Sequence, residues 1–339
     1  MFYSFIRSVL FQLDAETAHN VALHSIKRMP FLMAQSTVDD PVELLGIQFP
    51  NRVGLAAGLD KNADYFEELS GLGFGFVEVG TVTPKAQPGN DKPRMFRLPK
   101  YQAIINRLGF NNKGVEHLVK KIKARKGAGV IGINIGKNKA TPNENAVDDY
   151  LIGLTAVYEI ADYITVNISS PNTPDLRELQ FGESLRKLLS SLKVKQIDLI
   201  ESTNKVVPLL VKIAPDLDEE AVNEIAQILV DEKIDGVIAT NTTISREDVA
   251  GAKFADEAGG LSGLPVQHKS NQVISLLRKA LPENYPIIGV GGVMTAEDAV
   301  DKIKAGADLV QIYTGFIYNG PNLITQAANA IKKFLGSKK

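Results

Sequence analysis

From about residue 52, short runs rich in β-branched residues alternate with stretches of helical periodicity, such as Glu219–Val230 and Ala296–Lys304. This alternation is typical of βα units arranged around a parallel sheet. Eight such units in one chain favour a closed TIM (β/α)8 barrel over a doubly wound sheet, which usually has fewer strands. The predicted strands are Val53–Ala57, Phe76–Gly80, Val130–Ile135, Tyr163–Ile168, Pro208–Ile213, Gly236–Asn241, Pro286–Gly291 and Leu309–Tyr313.

Three connections between the predicted strands are long. They follow the second, fourth and sixth strands and hold residues 83–106, 171–182 and 243–264. In barrels of this kind, insertions at the carboxyl ends of the strands build the active site. We therefore expect these three segments to surround the site.

The composition excludes several classes of site. The 38 Lys and Arg residues against 39 Asp and Glu residues give a net charge of −1, which argues against nucleic acid as the main partner. Cysteine is absent, which excludes disulfides, thiolate nucleophiles, iron–sulfur clusters and Cys-ligated zinc. Histidine occurs only four times, so we predict no metal site.

Residues 1–36 differ from the rest of the chain and predict two short amphipathic helices. The first carries an aromatic-rich apolar stripe, and Asp14 can cap the second, which Pro30 would end. One interpretation is a helical hairpin packed on the main core, and the other is a surface that enters the lipid interface. Both can hold if the helices form the mouth of a tunnel. We predict an N-terminal amphipathic extension over residues 1–36 and the barrel over residues 37–339.

The sequence carries no pattern for crossing a membrane. No apolar run reaches the roughly 18 residues that a membrane span needs. The amino terminus has Arg7 but no long apolar segment followed by a small-residue cleavage site, so it does not resemble a secretion signal. We expect a chain that is cytosolic or lies against a membrane surface.

Polar residues or glycines stand at the carboxyl end of almost every predicted strand. Each alone has an ordinary explanation, because strand ends often carry turn-forming and capping residues. Together, a ring of amides, hydroxyls and two lysines without metal-ligating groups predicts a site for a polar, planar organic ligand. The ring consists of Gly58, Asp60, Lys61, Thr81, Asn134, Asn167, Ser169, Ser170, Lys212, Thr240, Asn241, Gly291, Gly292, Tyr313 and Thr314.

The two lysines of this ring carry the most information. Lys212 lies in the sequence Val-Lys-Ile, so its ammonium group either points into the barrel or extends out to solvent. Burying it without a partner costs several kcal/mol, so we expect an anionic partner. Lys61 follows Gly-Leu-Asp and can meet a ligand carboxylate or a ring system, or form an ion pair with Asp60 or another nearby acid.

A glycine run predicts a phosphate site. Gly289-Val-Gly-Gly292 lies between the seventh strand and a predicted helix, where backbone N–H groups and the helix dipole favour an anion. Tyr313-Thr-Gly315, after the eighth strand, completes the phosphate site usual in barrels. Because the spacing is not G-x-G-x-x-G, a mononucleotide fits better than a dinucleotide.

Two further segments predict loops that contact a ligand. Asn167 to Pro174 holds two prolines and two asparagines, and its length suits a lid that excludes water. Asn106 to Asn112 supplies amides that can hydrogen-bond an imide-like substrate. No histidine lies near a strand end in sequence, so a Ser–His–Asp triad has no support.

Seven motifs of this chain, in the same order, resemble those of the dihydroorotate dehydrogenase family, flavin enzymes of pyrimidine synthesis. The resemblance covers essentially the whole chain. One departure is Leu108, where family members often carry methionine, and this apolar exchange affects nothing central. The motifs are Gly58-Leu-Asp-Lys61, Gly80-Thr-Val-Thr-Pro84, Asn106-Arg-Leu-Gly-Phe-Asn-Asn112, Asn167-Ile-Ser-Ser-Pro-Asn172, Lys212-Ile-Ala-Pro215, Thr240-Asn-Thr-Thr243 and Gly289-Val-Gly-Gly292.

The resemblance implies a TIM barrel that binds FMN and oxidises (S)-dihydroorotate to orotate in the de novo synthesis of UMP. Lys212 would lie near N1 of the flavin and stabilise negative charge on the reduced ring. The residues implied to bind FMN are Ala56, Ala57, Gly58, Lys61, Thr81, Asn134, Asn167, Lys212, Thr240, Gly263, Gly292, Tyr313 and Thr314. Those implied to bind dihydroorotate are Lys61, Asn106, Arg107, Leu108, Gly109, Phe110, Asn167, Asn172, Asn241 and Thr242.

The family has two branches that differ in the catalytic base. One uses Cys and is soluble; the other uses Ser and carries an N-terminal helical extension that admits quinone. Because this chain has no Cys, the resemblance implies Ser170 as the base that removes a C5 proton while hydride leaves C6 for the flavin. A serine hydroxyl is a poor base, so a proton relay is needed. Arg97 is a candidate for the quinone end.

The resemblance also implies partners and a location. We expect dihydroorotate, orotate, a quinone and a membrane surface contacted through residues 1–36 as partners, with no nucleic acid. We expect a monomer, bound peripherally to the cytoplasmic face of a bacterial inner membrane. Three alternatives remain open: a fumarate-using barrel, a phosphosugar isomerase or aldolase on the same phosphate site, and a membrane-docking module attached to an inert barrel.

Overall fold

The computed structural model describes residues 2–29 and 35–337 of the chain. Within these ranges the strands are β1 (Val42–Leu44), β2 (Ile47–Phe49), β3 (Val53–Leu55), β4 (Phe76–Val82), β5 (Met95–Leu98), β6 (Ala103–Asn106), β7 (Val130–Ile135), β8 (Tyr163–Asn167), β9 (Leu209–Ile213), β10 (Gly236–Ala239), β11 (Gly260–Gly263), β12 (Ile287–Val290) and β13 (Leu309–Ile312). The α-helices are α1 (Phe2–Leu10), α2 (Ala15–Arg28), α3 (Phe66–Ser70), α4 (Val115–Lys123), α5 (Ala146–Val157), α6 (Gly182–Thr203), α7 (Glu219–Asp231), α8 (Gln267–Ala280), α9 (Ala296–Ala305), α10 (Thr314–Asn319) and α11 (Asn322–Gly336).

Eight parallel strands close into a barrel in the order β3, β4, β7, β8, β9, β10, β12, β13. Pairing of Val310 with Val53 joins the last strand to the first, and helices pack against one another around the outside. Each predicted run overlaps one of these strands, so the predicted TIM (β/α)8 barrel is confirmed. The runs are mostly apolar and do not alternate with exposed polar residues, because both faces of each strand are buried; the polar exceptions include Glu78, Asn134 and Lys212, which are buried as well.

A hairpin of β1 and β2 closes the amino-terminal end of the barrel, and it was not predicted. Its turn at Leu45 and Gly46 has φ values of 58° and 72°, which the flanking short strands need for a tight reversal. Phe49 is fully buried and packs edge-on against Phe76 at the start of β4. The strands are only three residues long, too short to show a period of two in the sequence.

Two of the long connections meet in a small antiparallel sheet at the opposite end. Residues 83–106 supply β5 and β6, and residues 243–264 supply β11, with β6 in the centre. Its apolar face packs around Phe96, Ile105 and Leu261. Two of the three predicted insertions therefore fold as a roof over the carboxyl ends of the barrel strands.

The two predicted N-terminal helices are present and lie against the roof and α10. The Asp14 carboxylate accepts hydrogen bonds from the amides of Glu16 and Thr17 at 3.0 Å, so the predicted cap of α2 is confirmed. Tyr3 Oη donates to the carbonyl of Ile317 at 2.7 Å and thereby fastens α1 to α10. Pro30, predicted to end the second helix, lies outside the described residues, as do residues 31–34. The division into an extension and a barrel domain stays a prediction.

Among the described residues, no helix combines the length and apolar character that crossing a bilayer requires.

Candidate active site

A polar cavity opens at the carboxyl ends of the barrel strands, beneath the roof. Its wall brings together nearly all of the residues predicted to bind a ligand, although they come from most of the barrel's βα loops. The lining residues are Ala56, Ala57, Gly58, Lys61, Thr81, Asn106, Leu108, Gly109, Phe110, Asn167, Ser170, Asn172, Lys212, Thr240, Asn241, Thr242, Ser262, Gly263, Val266, Val290, Gly291, Gly292, Val293, Gln311, Tyr313, Thr314 and Gly315.

Four predicted residues do not line the cavity: Asp60, Arg107, Asn134 and Ser169. Asn134 is fully buried behind the wall, where its Oδ1 accepts from Thr81 Oγ1 and its Nδ2 donates to Glu78 at 2.8 Å. Asn134 therefore supports Thr81, which lines the cavity. The Arg107 guanidinium turns outward, where it forms an ion pair with Glu257 at 2.6 Å and stacks over Phe96.

Lys212 is 5% exposed and lines the cavity, which excludes the solvent-exposed alternative. Burial lowers the pKa of Lys212, and the negative charge of Glu78 opposes that change. Glu78 is held inside the barrel by Asn134, by Tyr163 Oη at 3.0 Å and by Gln311 at 2.7 Å. Because no described carboxylate lies within 4.0 Å of the ammonium group, Lys212 can serve an anionic ligand.

Lys61 is held at the end of β3 by a hydrogen bond of 3.0 Å from its ammonium group to the carbonyl of Gly58. Burial lowers the pKa of Lys61 to about 8. The alternative of an ion pair with Asp60 is not observed, because the Asp60 carboxylate accepts from three backbone amides, including those of Asp64 and Tyr65. Asp60 thus fixes the turn that presents Lys61 to the cavity.

The glycine loop after β12 presents free backbone amides. The N–H groups of Gly292 and Val293 donate to no group of the described residues. The neighbouring amides of Met294 and Thr295 donate to the Asp298 carboxylate at the start of α9. The anion-binding donors therefore belong to the loop, and the helix terminus, which was expected to assist them, is partly occupied by its own capping residue.

The loop after β8 carries a network of amides and hydroxyls. Ser170 Oγ accepts from the amide of Asn172 at 3.3 Å and faces the cavity. Asn167 Nδ2 donates to Thr81 Oγ1 at 2.9 Å, and Asn172 Nδ2 donates to Asn106 Oδ1 at 3.2 Å. These contacts join the two predicted ligand-contacting loops into one surface.

Sequence reasoning missed Glu78, Gln311 and Ser262. Gln311 and Ser262 line the cavity, and Thr314 Oγ1 donates to Ser262 Oγ at 2.9 Å. A signal for Glu78 exists, because an acid in the middle of the apolar run Phe-Val-Glu-Val must find partners inside the barrel. In the parts of the chain that the structure describes, no three acidic or histidine side chains are grouped as metal ligands would be.

A second, mostly apolar cavity lies between the N-terminal helices and the roof. Its wall consists of Tyr3, Ile6, Arg7, Leu10, Phe11, Ala15, Ala18, His19, Ala22, Leu23, Ser25, Ile26, Met29, Leu59, Met95, Arg97, Ile104, Phe316 and Ile317. Burial lowers the pKa of His19 to about 4, and Lys61 adds to that effect, so this ring is neutral at pH 7. Arg97 stacks over Phe11 and donates to the carbonyl of Leu10 at 3.3 Å, at the end of α1.

The two cavities share two walls of single-segment thickness. Gly58 and Lys61 face the polar cavity, while Leu59 between them faces the apolar one. Residues 314–317 behave in the same way, since the first two line the polar cavity and the last two line the apolar cavity. Two ligands, one bound in each cavity, would therefore be separated from each other by little more than one segment of the chain.

The chain was compared with protein-family models, curated proteins and solved structures. A family model described as Dihydroorotate dehydrogenase matches residues 41–335. The Dihydroorotate dehydrogenase (quinone) of Saccharophagus degradans is 59% identical over 334 residues, which cover 97% of this chain and 98% of that protein. The protein of the same name from Cellvibrio japonicus is 57% identical over 337 residues, 98% of each chain.

Solved structures give the same answer. The crystal structure of DHODH from Eimeria tenella in complex with ferulenol has a TM-score of 0.89 to this chain at 38% identity, covering 96% of this chain and 92% of that one. The resemblance drawn from seven short motifs is thus confirmed over nearly the full length. The chain belongs to the dihydroorotate dehydrogenase family.

Proposed function

We propose that this protein is a quinone-dependent dihydroorotate dehydrogenase: it oxidises dihydroorotate to orotate in the polar cavity, with FMN as its prosthetic group, and passes the electrons to a quinone in the apolar cavity. The observation that carries the proposal is the pair of cavities of opposite polarity that share thin walls at residues 58–61 and 314–317. A water-soluble, anionic substrate and a lipid-soluble acceptor need separate sites within electron-transfer reach of one group. This arrangement supplies them.

The residues present fit FMN. The free amides of Gly292 and Val293 suit its phosphate, and a Cβ on Gly315 would overlap the carbonyl of Val293, so this glycine allows the two phosphate loops to approach. Lys212 offers a buried cation, and Gln311 Oε1 is a buried acceptor without a partner among the described residues. The chemistry that FMN supplies when bound is two-electron oxidation of the substrate followed by electron transfer to a quinone.

Residues beneath the roof match the substrate's polar groups. Dihydroorotate carries one carboxylate and two amide-like ring positions, and the cavity offers the Lys61 ammonium group and the side-chain amides of Asn106, Asn172 and Asn241. Asn172 Oδ1 is buried without a partner among the described residues, so it has an acceptor free for a ring N–H. These groups bind and orient the ring.

Ser170 removes the C5 proton of the substrate. Its Oγ lines the cavity and accepts only a long hydrogen bond among the described residues, from Asn172, so a lone pair remains available. The proton must then leave a poor base. Thr173, three residues further, has a buried hydroxyl without a partner in the described part of the chain, and it is our candidate for the next group in the relay.

The N-terminal helices carry the quinone site and the membrane contact. Tyr3, His19 and Arg97 are among the polar residues that line this mostly apolar cavity, where they suit quinone oxygens. On the outer side of α1, Phe5 and Val9 are 71% and 54% exposed, which suits insertion into the lipid interface. We propose a peripheral location on the cytoplasmic face of the membrane and a monomeric protein.

Absorbance of the purified protein tests the proposal. We expect a flavin band near 450 nm that dihydroorotate bleaches anaerobically and a ubiquinone analogue restores. A colourless protein would contradict FMN binding and would favour the alternative of a phosphosugar isomerase or aldolase. If fumarate restored the flavin band and the ubiquinone analogue did not, the assignment of quinone as electron acceptor would be contradicted.

A further inference from the structure

Glu16, near the start of α2, makes a two-pronged ion pair with Arg94 of the roof connection. Arg94 Nε donates to Glu16 Oε2 at 3.0 Å, and Nη2 donates to Oε1 at 2.7 Å. Only 13% of the Glu16 side chain and 7% of the Arg94 side chain are exposed. Since a buried charge that loses its partner is strongly destabilised, each holds the other in place.

The other side of Arg94 shapes the loop in front of β5. Its Nη1 donates to the carbonyls of Pro88 at 2.7 Å and Asn90 at 2.8 Å. Gly89 between them has φ +80°, and a Cβ there would overlap the carbonyl of Leu108. The turn at residues 88–90 therefore packs directly on the substrate segment of residues 106–110, and Arg94 fixes its shape.

Asn90 connects this turn to both substrate loops. Its side-chain amide donates to the carbonyl of Arg107 at 2.9 Å and to the carbonyl of Asn172 at 3.2 Å, and its own N–H donates to the carbonyl of Leu108 at 3.2 Å. An unbroken set of hydrogen bonds thus runs from Glu16 through Arg94 and Asn90 to the segments that line the polar cavity.

The same pair acts on the charge of the cavity. Burial lowers the pKa of Lys61, the Arg94 guanidinium lowers it further, and the Glu16 carboxylate raises it. Glu16 therefore offsets the repulsion that Arg94 exerts on the ammonium group that we assign to the substrate carboxylate.

We propose that Glu16 is a positioning residue of the dihydroorotate site, acting through Arg94 and Asn90, so that the N-terminal extension completes the substrate cavity as well as the acceptor cavity. This inference rests on the proposed function. It gives the extension a second role, because α2 supplies the carboxylate that holds Arg94, and Arg94 holds the turn that spans both substrate loops.

Substitution of Glu16 in the full-length holoenzyme tests the inference. Glu16→Gln keeps the shape and removes the charge. Because a hydrogen bond to a charged group contributes more than a neutral one, we expect the Kd of orotate, measured by the shift of the flavin band, to rise about tenfold. KM for dihydroorotate should rise equally, while the bleaching rate at saturating dihydroorotate and KM for the quinone stay within about twofold.

Lys92→Gln is the matched control, because Lys92 reaches the same carboxylate at 3.4 Å from a side chain that is 66% exposed. Its orotate affinity should equal that of the natural protein. Asn90→Ala is the second variant, since it breaks the connection beyond the buried pair and leaves no buried charge without its partner. It should weaken orotate binding in the same direction.

The outcomes distinguish failure of this inference from failure of the proposed function. Unchanged orotate affinity in Glu16→Gln, or in Asn90→Ala if the first variant does not fold, overturns the inference. A change confined to KM for the quinone overturns it as well, because Glu16 would then serve the acceptor cavity alone. If dihydroorotate does not bleach the unaltered protein, the proposed function itself fails.

Discussion

Replacing Ser170 by alanine separates catalysis from stability. Among the described residues, Ser170 Oγ takes part in one hydrogen bond, a long one of 3.3 Å from the amide of Asn172. Losing it costs about 1 kcal/mol at most, which lowers the melting temperature by about 1–2 °C in a chain of 339 residues, since the entropy of unfolding is about 2.1 cal/mol/K per residue. The cavity wall and the residues that we propose to hold FMN should stay in place, because no other described side chain bonds to that hydroxyl.

The kinetic effect should be far larger. A positioned general base contributes a factor of about 10²–10⁴, which corresponds to about 2.7–5.4 kcal/mol of barrier lowering at 1.36 kcal/mol per decade. We therefore expect Ser170→Ala to bind FMN and orotate normally but to be bleached by dihydroorotate at least about a hundredfold more slowly. Anaerobic stopped-flow absorbance at 450 nm measures this rate directly.

Two comparisons sharpen the experiment. Ser169 is fully buried, and its Oγ accepts from Asn241 at 3.0 Å, so Ser169→Ala removes a neighbouring hydroxyl that does not line the cavity. It should affect substrate affinity and leave the saturated bleaching rate within about threefold. Ser170→Cys should bleach faster as the pH rises through about 8.5, the ordinary pKa of a thiol. Bleaching of Ser170→Ala within tenfold of the natural rate would refute the assignment of the base.

Three further results are expected. Lys212→Met should fold and should lower the midpoint potential of the flavin by at least about 30 mV, measured by redox titration. That shift corresponds to a tenfold loss of stabilisation of the reduced ring, and an unchanged potential would contradict the role of Lys212 in stabilising it. Gly292→Ala should weaken FMN binding at least about tenfold by fluorescence titration, because its φ is +76° and the new Cβ would overlap Gln267. Gly46→Ala, with φ +72° and nothing near the new Cβ, carries similar backbone strain without that overlap and should bind FMN normally. The pKa of about 8 for Lys61 predicts that kcat/KM for dihydroorotate falls as pH rises above that value, since the neutral amine no longer attracts the carboxylate; this descending limb should be absent from Lys61→Met.

The barrel could be predicted because its strands can be recognised locally. Runs such as Val130–Ile135 are rich in β-branched residues and buried on both faces, and each is followed by turn-forming residues and a helical pattern. The roof and the lower hairpin could not be predicted in the same way. Their strands are three or four residues long, and what stabilises them is packing on a barrel that exists only after folding.

For the site, position at a strand end was the informative signal. It identifies Lys61, Ser170 and Lys212 from the sequence alone, since parallel strands bring their carboxyl ends together. Residues that act from behind the wall carry no such mark. Glu78 is buried by partners from other strands, and Glu16 lies 78 positions from Arg94, so neither connection is visible in the sequence.

The hairpin of β1 and β2 has a practical consequence for measurement. It seals the end of the barrel remote from both cavities, and its Glu43 and Gln48 side chains are exposed and bonded to each other at 2.8 Å. A single cysteine introduced at position 43 would be the sole thiol of the chain, so one tether could attach the molecule to an electrode or a bead. Attached at this end, the molecule would present α1 and α2 to an added lipid layer and leave the polar cavity free of the support.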